Sequence, residues 1–328
     1  MTDMWSIIGT AVQGRGHEKK NIPVQDKIDS KNGEVTVIAL ADGAGSASHS
    51  HYGAERVVET ICALLDDSFD DIFEMVDVTE AQQMVMDTIL NELHQLADSE
   101  QEPLKAFAST MLAVAVKNNQ ALIFHLGDGE IGAIKDGNVI SVSSSENGEY
   151  ANATIFTTSQ HAWNQLKLYK SKDASAFTSF FLMSDGTAAS LYSKERNYFS
   201  PIISRLAEQT AIHQENVLNG LLEESFENTV KQKTQDDCSF IMMTAVSDTP
   251  SYRKMKEQDK ELLVQFLQSP KHCSIKKWDR ITELLEKPLT LEQLAKTMRM
   301  KKRYVKANLH ALVEAGVIVN HNGKYQLR

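Results

Sequence analysis

The stretch VTVIALADG, residues 35–43, is an uninterrupted apolar run that ends in an acidic residue and a glycine. A run without alternating polar residues is typical of a strand that is buried on both faces. A carboxylate at the edge of a core costs free energy unless it is paired or binds a cation. We therefore predict a buried strand over residues 35–41 that delivers Asp42 to a functional site.

Similar acidic residues stand at the ends of other apolar runs. They are found in FHLGDG at residues 124–129, in FLMSDG at residues 181–186, and in the pair Asp236-Asp237 before residues 238–246. If these strands are neighbours, their carboxylates converge at one end of a sheet. Oxygen ligands without an obligatory cysteine or histidine favour a hard cation, Mg²⁺ or Mn²⁺.

The simpler interpretation of an Asp-Gly pair is a tight turn, because this dipeptide is common in turns. Asp136-Gly137 lies between two short predicted strands, and we interpret it as a turn only. Asp42, Asp128 and Asp185 differ from it because each follows a buried run. Their recurrence favours a cation site over three unrelated turns.

Helical spacing of apolar residues predicts helices over residues 52–66 and 79–97. Short strands separated by turn-forming residues follow between positions 110 and 142. Residues 143–176 are polar and give no clear prediction, whereas residues 201–226 have a helical pattern. The first part of the chain is therefore predicted to combine several short strands with helices.

The composition changes at residues 247–253, where turn-forming residues are followed by charged ones. We predict a first domain over residues 1–248, a linker and connecting helix over residues 249–275, and a small domain over residues 276–328. The small domain has 12 Lys and Arg against 5 Asp and Glu, a net charge of +7. Because the whole chain carries −10, the remainder carries −17.

The small domain has the pattern of a winged helix-turn-helix. Pro288 ends one helix, Thr290 and Gln293 form a capping-box pattern at the start of a second, and Asn322-Gly323 predicts a hairpin after a third. Basic residues open the third helix, where such a fold contacts the phosphate backbone of DNA. They are Lys301, Lys302, Arg303 and Lys306. The alternatives are a solvated helix face and docking to a partner or to the acidic domain.

Several classes of protein are excluded or disfavoured. No apolar run approaches the roughly 18 residues that cross a membrane, and the N-terminus lacks the pattern of a secretory signal. Cys62, Cys238 and Cys273 are odd in number and far apart, which disfavours a disulfide framework or a zinc cluster. We expect a cytoplasmic protein.

The motifs, taken in chain order, resemble the metal-dependent type 2C (PPM) protein phosphatases, and their bacterial branch most closely. The motifs are Gln25-Asp26, Asp42-Gly43, Ala108-Ser109-Thr110, Gly127-Asp128, Ser184-Asp185-Gly186 and Asp236-Asp237-Cys238-Ser239. The resemblance implies an α+β fold of two packed antiparallel β-sheets flanked by helices, an α-β-β-α sandwich. It also implies hydrolysis of phosphoserine and phosphothreonine in a phosphoprotein substrate, with a Ser/Thr protein kinase acting in opposition.

The same resemblance implies a centre of two Mn²⁺ or Mg²⁺ ions. Asp42 would bridge both ions, and Gly43 would offer its backbone carbonyl to one of them. Asp185 and Asp236 would hold the other ion. Asp26 would orient metal-bound water from behind the direct ligands.

Further implications concern a third ion and the nucleophile. Asp128 would serve a third, weaker ion, although Gly129 and Glu130 here replace the Ser-Arg that follows this Asp in the family. Hydroxide bridging the two ions would attack phosphorus in line. No cysteine nucleophile is needed, so Cys238 is predicted to be a small buried residue. Residues 143–176 would stand where bacterial members carry a flap over the substrate.

The sequence departs from the family pattern at the phosphate-binding position. Many members have an arginine where this chain has Asn21. Arg15 or His17, which lie just upstream, are the candidates to bind the substrate phosphate instead. A solvated basic loop is the alternative interpretation.

A second departure follows the first acidic motif. Ala44 stands where some members have a histidine that protonates the leaving group. His49 and His51 follow shortly after, either for that role or as ordinary residues before a helix. Asp237 replaces the usual asparagine of the last motif.

Two other functions remain open at this point: a DNA-binding regulator whose first domain only senses or docks, and an inactive phosphatase-like scaffold. A domain without catalytic work has no need for carboxylates at the ends of buried strands. The presence of Asp42, Asp185 and Asp236 therefore favours the enzyme.

Overall fold

A computed structural model describes residues 4–144, 154–210, 215–246, 273–315 and 317–327, together with residues 252, 255, 257, 260, 261 and 264. The chain divides into two compact units. The first contains residues 1–210 and 215–245, and the second contains residues 211–214 and 246–328.

The strands of the first unit belong to two main sheets and one short hairpin. In chain order they are β1 (Met4–Val12), β2 (Lys27–Asn32), β3 (Thr36–Ala41), β4 (Met111–Lys117), β5 (Gln120–Leu126), β6 (Glu130–Lys135), β7 (Asn138–Ser143), β8 (Lys167–Ser171), β9 (Phe177–Met183), β10 (Tyr192–Ser193), β11 (Tyr198–Phe199) and β12 (Cys238–Val246). One sheet has the order β2-β3-β4-β5-β8, and the other has the order β1-β12-β9-β6-β7. The strand pairs with a described register are antiparallel.

The helices of the first unit are α1 (Arg15–Lys20), α2 (Ser50–Glu74), α3 (Val78–Glu100), α4 (Asp185–Leu191), α5 (Ile202–Thr210) and α6 (Glu215–Ser225). α2 and α3 pack on the β3-containing sheet, and α4, α5 and α6 pack on the β9-containing sheet. A third cluster of apolar side chains fills the space between the sheets. The predicted α+β fold, with antiparallel sheets flanked by helices, is confirmed.

β3 shows why its sequence is apolar without interruption. Val37 and Ala39 face α2 and α3, whereas Ile38 and Leu40 face the opposite sheet. Every residue of β3 is buried, because both faces of the strand lie in a core. The prediction of a strand that is buried on both faces is confirmed.

Two edge strands, β2 and β8, were not predicted from the sequence. β2 has the sequence KIDSKN and β8 has the sequence KLYKS, and both lie at the edges of their sheet. No residue of either strand is fully buried. An edge strand with polar residues on its open side gives no continuous apolar run and only weak alternation. For this reason residues 143–176 gave no prediction for β8.

The two long helices extend beyond their predicted bounds. α2 continues to Glu74, because Phe69, Ile72 and Phe73 prolong its buried face beyond an irregular residue at Ser68. α3 begins after Asp77, whose carboxylate accepts a hydrogen bond from Thr79 N at 2.8 Å. This N-cap gives a hydrogen-bond acceptor to one backbone N–H of the first turn, which has no partner within the helix.

Strand register brings the acidic motifs to one end of the sandwich. Ala41, the last residue of β3, pairs with Lys27, the first residue of β2. Asp42 and Asp26, which adjoin these two residues in the chain, therefore lie at the same end of the first sheet. Met183 pairs with Phe240, which gives Asp185 and the Asp236-Asp237 pair the same end of the second sheet. By contrast, Asp136 has a φ of 48° in the tight turn between β6 and β7, as its interpretation as a turn requires.

The second unit is a small helical unit with a hairpin. Its elements are α7 (Ile275–Leu284), β13 (Leu289–Thr290), α8 (Leu291–Thr297), α9 (Lys302–Glu314), β14 (Ile318–His321) and β15 (Lys324–Leu327). At the start of α8, Gln293 N donates to Thr290 Oγ1 and Thr290 N donates to Gln293 Oε1, which is the predicted capping box. Asn322 and Gly323 have positive φ angles of 51° and 80° between β14 and β15, as the predicted hairpin requires.

This unit has its own core. Trp278 on α7 is fully buried, and its Nε1 donates to Asn308 Oδ1 at 3.1 Å. Tyr252, which the sequence assigned to the linker, packs edge-on against Trp278 with the ring centroids 6.2 Å apart. The helix predicted over residues 254–267 and the helix end predicted at Gly316 lie largely outside the described residues.

The buried imidazole of His125 on β5 makes stability depend on pH. Its Nδ1 lies 2.6 Å from Ser143 Oγ and its Nε2 lies 3.2 Å from the carbonyl of Gly127. Burial, aided by the charge of Lys167, lowers the pKa of His125 to about 4. Between that value and about 6.5 the unfolded chain binds a proton that the folded chain does not.

We therefore expect acid to remove up to about 3 kcal/mol of unfolding free energy through His125 as the pH falls from 7 to 4. His125→Asn lacks this titration, so the stability gap between the wild type and the variant should narrow in acid. Urea unfolding at pH 7, 6 and 5 with EDTA measures the gap. A gap that stays constant with pH would contradict the assignment.

Candidate metal centre

Asp42 is held at the end of β3 by the residues that directly precede the neighbouring strand β4. Its backbone N donates to Thr110 Oγ1, and its carbonyl accepts from Thr110 N, both at 2.8 Å. Gly43 forms an isolated bridge with Ser109. These contacts give a structural role to Ser109 and Thr110, for which the sequence offered none.

Gly43 has no space for a side chain. A Cβ there would lie 2.9 Å from Ser50 Cβ and 3.0 Å from the Gln25 carbonyl oxygen. Gln25 also donates from its Nε2 to Ser50 Oγ at 2.6 Å, which ties the Gln25-Asp26 segment to the start of α2. The backbone at Gly43 can therefore approach a ligand more closely than any other residue type would allow.

Asp185 and Asp236 come from the second sheet. Asp185 is the first residue of α4, directly after β9, and Asp236 precedes β12. Gly186 keeps the two segments close, because a Cβ at this position would collide with the Asp237 carbonyl oxygen. The side chain of Asp236 is 50% exposed, so it is open to solvent.

Mutual repulsion marks the carboxylates as one cluster. Burial raises the pKa of Asp42 well above its usual value, and the charges of Asp26, Asp185, Asp236 and Asp128 raise it further. All five side chains are therefore close enough to interact electrostatically. This spatial convergence agrees with the prediction from the strand ends.

Asp26 and Asp185 are affected in the same way. Burial, followed by the charge of Asp237, raises the pKa of Asp26 to about 7. Although much of Asp185 is exposed, desolvation of its carboxyl group and the charges of Asp128 and Asp236 raise its pKa to about 6. Without a bound cation, ionisation of all these carboxyl groups together is unfavourable near neutral pH.

The donor set fits divalent cations. Asp26 is 2% exposed, and its Oδ2 has no hydrogen-bond partner within the described ranges. In the same ranges, no group of three or more Asp, Glu, His or Cys side chains is arranged to hold a metal ion. Mg²⁺ characteristically binds through one or two carboxylates and keeps several waters, so an open set of oxygens suits it.

Asp128 is anchored by the segment before β8. Thr154 Oγ1 donates to Asp128 Oδ2 at 2.6 Å, and Thr157 N donates to the carbonyl of Ser109 at 2.8 Å. Residues 145–153, which include part of the expected flap, lie outside the described residues. Asp128 thus interacts with Asp42 and Asp185 but also has a protein partner of its own.

Glu130 stands where the family has an arginine. It is fully buried on β6, and burial raises its pKa to about 7. Lys194 Nζ lies 3.5 Å from Glu130 Oε1. The change from arginine to glutamate at position 130 therefore places an acidic side chain, not a cationic one, two residues after Asp128.

The two phosphate-binding candidates have different surroundings. Arg15 donates from Nε to the carbonyl of Thr234 at 3.1 Å. His17 lies with Nδ1 2.9 Å from Asp237 Oδ1 and with Nε2 4.0 Å from Asp236 Oδ1. The ring of His17 therefore lies beside the carboxylate cluster.

Asp237 is a residue whose importance the sequence did not reveal. Its carboxylate accepts from Gly14 N and Gln25 N, both at 2.6 Å, and contacts His17. The side chain is only 1% exposed. Its one sequence signal was the acidic residue in place of the family's asparagine.

The rings of His49 and His51 pack against aromatic side chains. The His49 ring lies 5.6 Å from the Phe107 ring, and the His51 ring lies 4.0 Å from the Tyr52 ring. Partial burial, followed by the charges of Lys27 and His49, lowers the pKa of His51. Both rings therefore belong to an aromatic group at the start of α2, as the structural interpretation expects.

Cys238 is buried at the start of β12, and burial raises the pKa of its thiol to about 12. A thiol in this state is a poor nucleophile. Cys238 therefore behaves as the small buried residue that the sequence predicted.

The basic residues of the second unit lie on its surface. Lys301, Lys302, Arg303 and Lys306 are exposed at the N-terminal part of α9. Lys302 Nζ donates to Glu292 Oε1 at 2.8 Å, and the Arg303 guanidinium lies 4.6 Å from the centre of the Tyr304 ring. Among the helices within the described ranges, none is long and apolar enough to cross a membrane.

Comparisons with known proteins identify relatives of this chain. The family model of protein phosphatase 2C matches residues 13–223. Serine/threonine-protein phosphatase 3 of Escherichia coli K12 is 26% identical over 247 residues, which cover 71% of this chain and 95% of that protein.

Solved structures show the same fold. The Streptococcus agalactiae serine/threonine phosphatase matches 74% of this chain and 99% of its own, with a TM-score of 0.52 and 17% identity. Serine/threonine phosphatase Stp1 from Staphylococcus aureus matches 74% of this chain and 96% of its own, with a TM-score of 0.50 and 14% identity. Because the family match spans more than half of the sequence, the chain belongs to the protein phosphatase 2C family, and the predicted enzyme class, a protein-serine/threonine phosphatase, is confirmed.

Proposed function

We propose that the first domain, for which the sequence predicts the bounds 1–248, hydrolyses phosphoserine and phosphothreonine in proteins with the help of two divalent cations, Mn²⁺ or Mg²⁺. The observation that carries this proposal is the convergence of acidic strand ends around Asp42, whose pKa its neighbours raise. The protein phosphatase 2C family is metal-dependent, and this carboxylate cluster is the natural place for the ions.

Four groups are proposed as direct ligands. Asp42 would contribute to holding both ions, and the backbone carbonyl of Gly43 would help to hold one of them. Asp185 and Asp236, from the second sheet, would hold the other ion. The support for this set is that the four groups lie at one end of the two sheets and that Gly43 has a backbone free of any side chain.

Two further acids have supporting roles in the proposal. Asp26, whose buried Oδ2 has no hydrogen-bond partner among the described residues, would accept a hydrogen bond from the attacking water and orient it. Asp128 serves a third, weaker ion, and its existing bond from Thr154 explains why this ion would bind less tightly.

Bound cations supply Lewis acidity that activates water for attack on phosphorus and offset charge on the phosphoryl oxygens. The chain itself holds the ligands in place before substrate arrives, because each is fixed at the end of a buried strand. Such preorganisation is how a rigid scaffold contributes to catalysis. No thiol is required, in line with the raised pKa of Cys238.

The partners of this activity are a phosphoprotein substrate and a Ser/Thr protein kinase that phosphorylates it. A cytoplasmic location and the absence of a membrane partner stay predictions from the sequence. The inactive scaffold is less favoured, because clustered carboxylates destabilise a metal-free protein without giving it any benefit.

A second proposal concerns residues 276–328, with residues 249–275 as the linker and connecting helix. We propose that they form a winged-helix module that contacts the phosphate backbone of duplex DNA. The specific support is the exposure of Lys301, Lys302, Arg303 and Lys306 at the start of α9. Docking to a protein or regulation of the phosphatase unit are the competing roles of the same surface.

The first prediction concerns activity. Asp42→Asn and Asp185→Asn should each lower Mn²⁺-dependent hydrolysis of a phosphothreonine peptide by more than about 100-fold, because the loss of a residue behind a metal ligand already costs 10- to 100-fold. Hydrolysis of p-nitrophenyl phosphate should fall in parallel, and EDTA should abolish both activities in the wild type.

Asp136→Asn is the matched control, because Asp136 also precedes a glycine but lies in a turn where asparagine fits. It should keep wild-type activity. Turnover that persists in EDTA, or in Asp42→Asn, would refute the metal-dependent mechanism.

A further prediction concerns stability. Asp42→Asn removes one of the clustered charges, so in EDTA it should raise the melting temperature by about 2–4 °C for each kcal/mol of repulsion relieved. In Mn²⁺ the order should reverse, because the wild type gains binding free energy that the variant loses. Differential scanning fluorimetry in both conditions measures the crossover, and equal Mn²⁺ stabilisation of both proteins would exclude Asp42 as a ligand.

The last prediction here concerns DNA. The full chain should retard random duplex DNA at low salt, and Lys301/Lys302/Arg303→Ala should reduce the slope of log affinity against log salt by about 2–3. Lys19/Lys20/Lys105→Ala removes equal charge from the first unit and should leave binding unchanged. An absence of retardation by the wild type at low salt would rule out the DNA proposal.

A further inference from the structure

The hairpin of β10 and β11 is anchored to the β9-containing sheet by aromatic contacts. Tyr192 pairs with Phe199, and their rings stack with the centroids 4.3 Å apart. Phe199 is buried and meets the Phe181 ring of β9 edge-on, with the centroids 5.1 Å apart. Tyr192 Oη donates to Asn197 Oδ1 at 2.8 Å across the hairpin. These contacts fix the short turn between the two strands.

Lys194, in this turn, is anchored by a buried acid. Its Nζ lies 3.5 Å from Oε1 of Glu130, which is fully buried. In the part of the chain that the structure describes, neither side-chain oxygen of Glu130 has a hydrogen-bond partner. The side chain of Lys194 is nevertheless 42% exposed. Because an ammonium group has three N–H donors, Lys194 can contact Glu130 and a molecule from solvent together.

Strand register places this ammonium near the acidic strand ends. Glu130 pairs with Met183 in the antiparallel pair of β6 and β9. Asp128 lies two residues before Glu130, and Asp185 lies two residues after Met183, so both lie beyond the same end of this pair. Two residues of a strand span about 7 Å. Lys194 is therefore anchored at the side of the carboxylate cluster.

This distance matches the spacing of residues in a peptide substrate. An extended chain advances by roughly 3.3–3.6 Å per residue. A peptide with its phosphoryl group at the carboxylate cluster would therefore bring a neighbouring side chain, one to three residues away, within reach of Lys194. The side chain that an ammonium attracts is a carboxylate.

The overall charge makes a local cation at this place significant. Residues 1–275 carry a net charge of −17, so the domain as a whole repels acidic peptides. A cation beside the site offsets this repulsion for a carboxylate that lies next to the phosphorylated residue.

We propose that Lys194 contacts an acidic side chain one to three residues from the phosphorylated residue, and that the site thereby selects acidic phosphopeptides. This inference rests on the proposed phosphatase function and names a substrate class for that site. The contact is separate from the binding of the phosphoryl group, because Lys194 acts on a different residue of the peptide.

The first experiment compares kcat/KM of the full chain, loaded with Mn²⁺, for paired phosphothreonine peptides. One member of each pair has a single glutamate one, two or three residues before or after the phosphothreonine, and the other has glutamine there. At one position or more, Lys194→Met should lower the glutamate-to-glutamine ratio by about 3- to 5-fold, the upper range for an exposed ion pair. The general repulsion cancels, because the same peptide pair is compared in both proteins.

Lys172→Met is the matched control. Lys172 is exposed in the segment before β9, at the end of that strand opposite to Asp185. Its replacement changes the net charge equally, but the ratio should stay within about 1.5-fold of the wild-type ratio, because charges so far apart are screened. Lys194→Arg keeps a cation and should stay within about twofold.

The removal of Lys194 leaves Glu130 without its cation, so the double variant Glu130→Gln/Lys194→Met is measured as well. It should show the same loss of ratio, because the contact with the peptide is absent in both variants. Circular dichroism and melting temperature show that each variant is folded.

A ratio that Lys194→Met leaves unchanged at every position would overturn the proposal. This outcome includes an equal loss for both peptides, which would assign Lys194 to the phosphoryl group and not to its neighbour.

A binding experiment separates this inference from the proposed function. The same peptides, with a non-hydrolysable phosphonate in place of the phosphate, are titrated in Mn²⁺ and followed by fluorescence anisotropy. If the wild type shows no turnover, the proposed phosphatase function fails. A glutamate preference in binding that Lys194→Met reduces would still support the contact, and binding that does not depend on the glutamate would overturn it.

Discussion

Repulsion among carboxylates at one end of the sandwich is the constraint on which the rest of the first unit depends. Asp26, Asp42 and Asp185 all have raised pKa values, since each is desolvated and faces other acids. A flexible scaffold would relieve this strain by moving the acids apart. Here each acid continues a strand whose neighbours are buried, so movement would expose apolar side chains such as those of β3. The sheets therefore hold together an arrangement of carboxylates whose repulsion is relieved when they take up protons or bind cations.

A second constraint is the hydrogen bonding of a buried carboxylate next to the cluster. The carboxylate of Asp237 is also buried, yet it is satisfied by the backbone N of Gly14, by the backbone N of Gln25 and by His17. The two adjacent acids therefore have different roles. Asp236 is exposed to solvent and open to a cation, whereas the carboxylate of Asp237 holds neighbouring backbone segments together. Buried charges with complete hydrogen bonding fix a conformation, and incomplete ones mark a binding site. This difference distinguishes neighbouring residues that the sequence presents as a simple pair.

The sequence could predict the parts of the site that depend on local pattern. The strands that are buried on both faces gave continuous apolar runs, so β3 and β12 and the acids beside them were identified in advance. β2 and β8 were missed because edge strands do not need such runs. The link from His17 to Asp237 spans 220 residues, and no local periodicity records it. Likewise, Asp42 and Asp136 both follow a strand that is largely buried and both precede a glycine, so the local pattern alone does not separate the acid of the cluster from the acid of the turn.

The division into two units bears on how the chain combines its properties. Each unit buries its own aromatic residues, with Phe180 and Phe240 in the first and Tyr252 and Trp278 in the second. Because each has a separate core, the negative charge needed for cations and the positive charge of the second unit are supported independently. A basic surface placed on the first unit would compete with the cations for its carboxylates. Because the cores are separate, residues 276–328 carry a net charge of +7 without placing cationic side chains in the sheets that bring the carboxylates together.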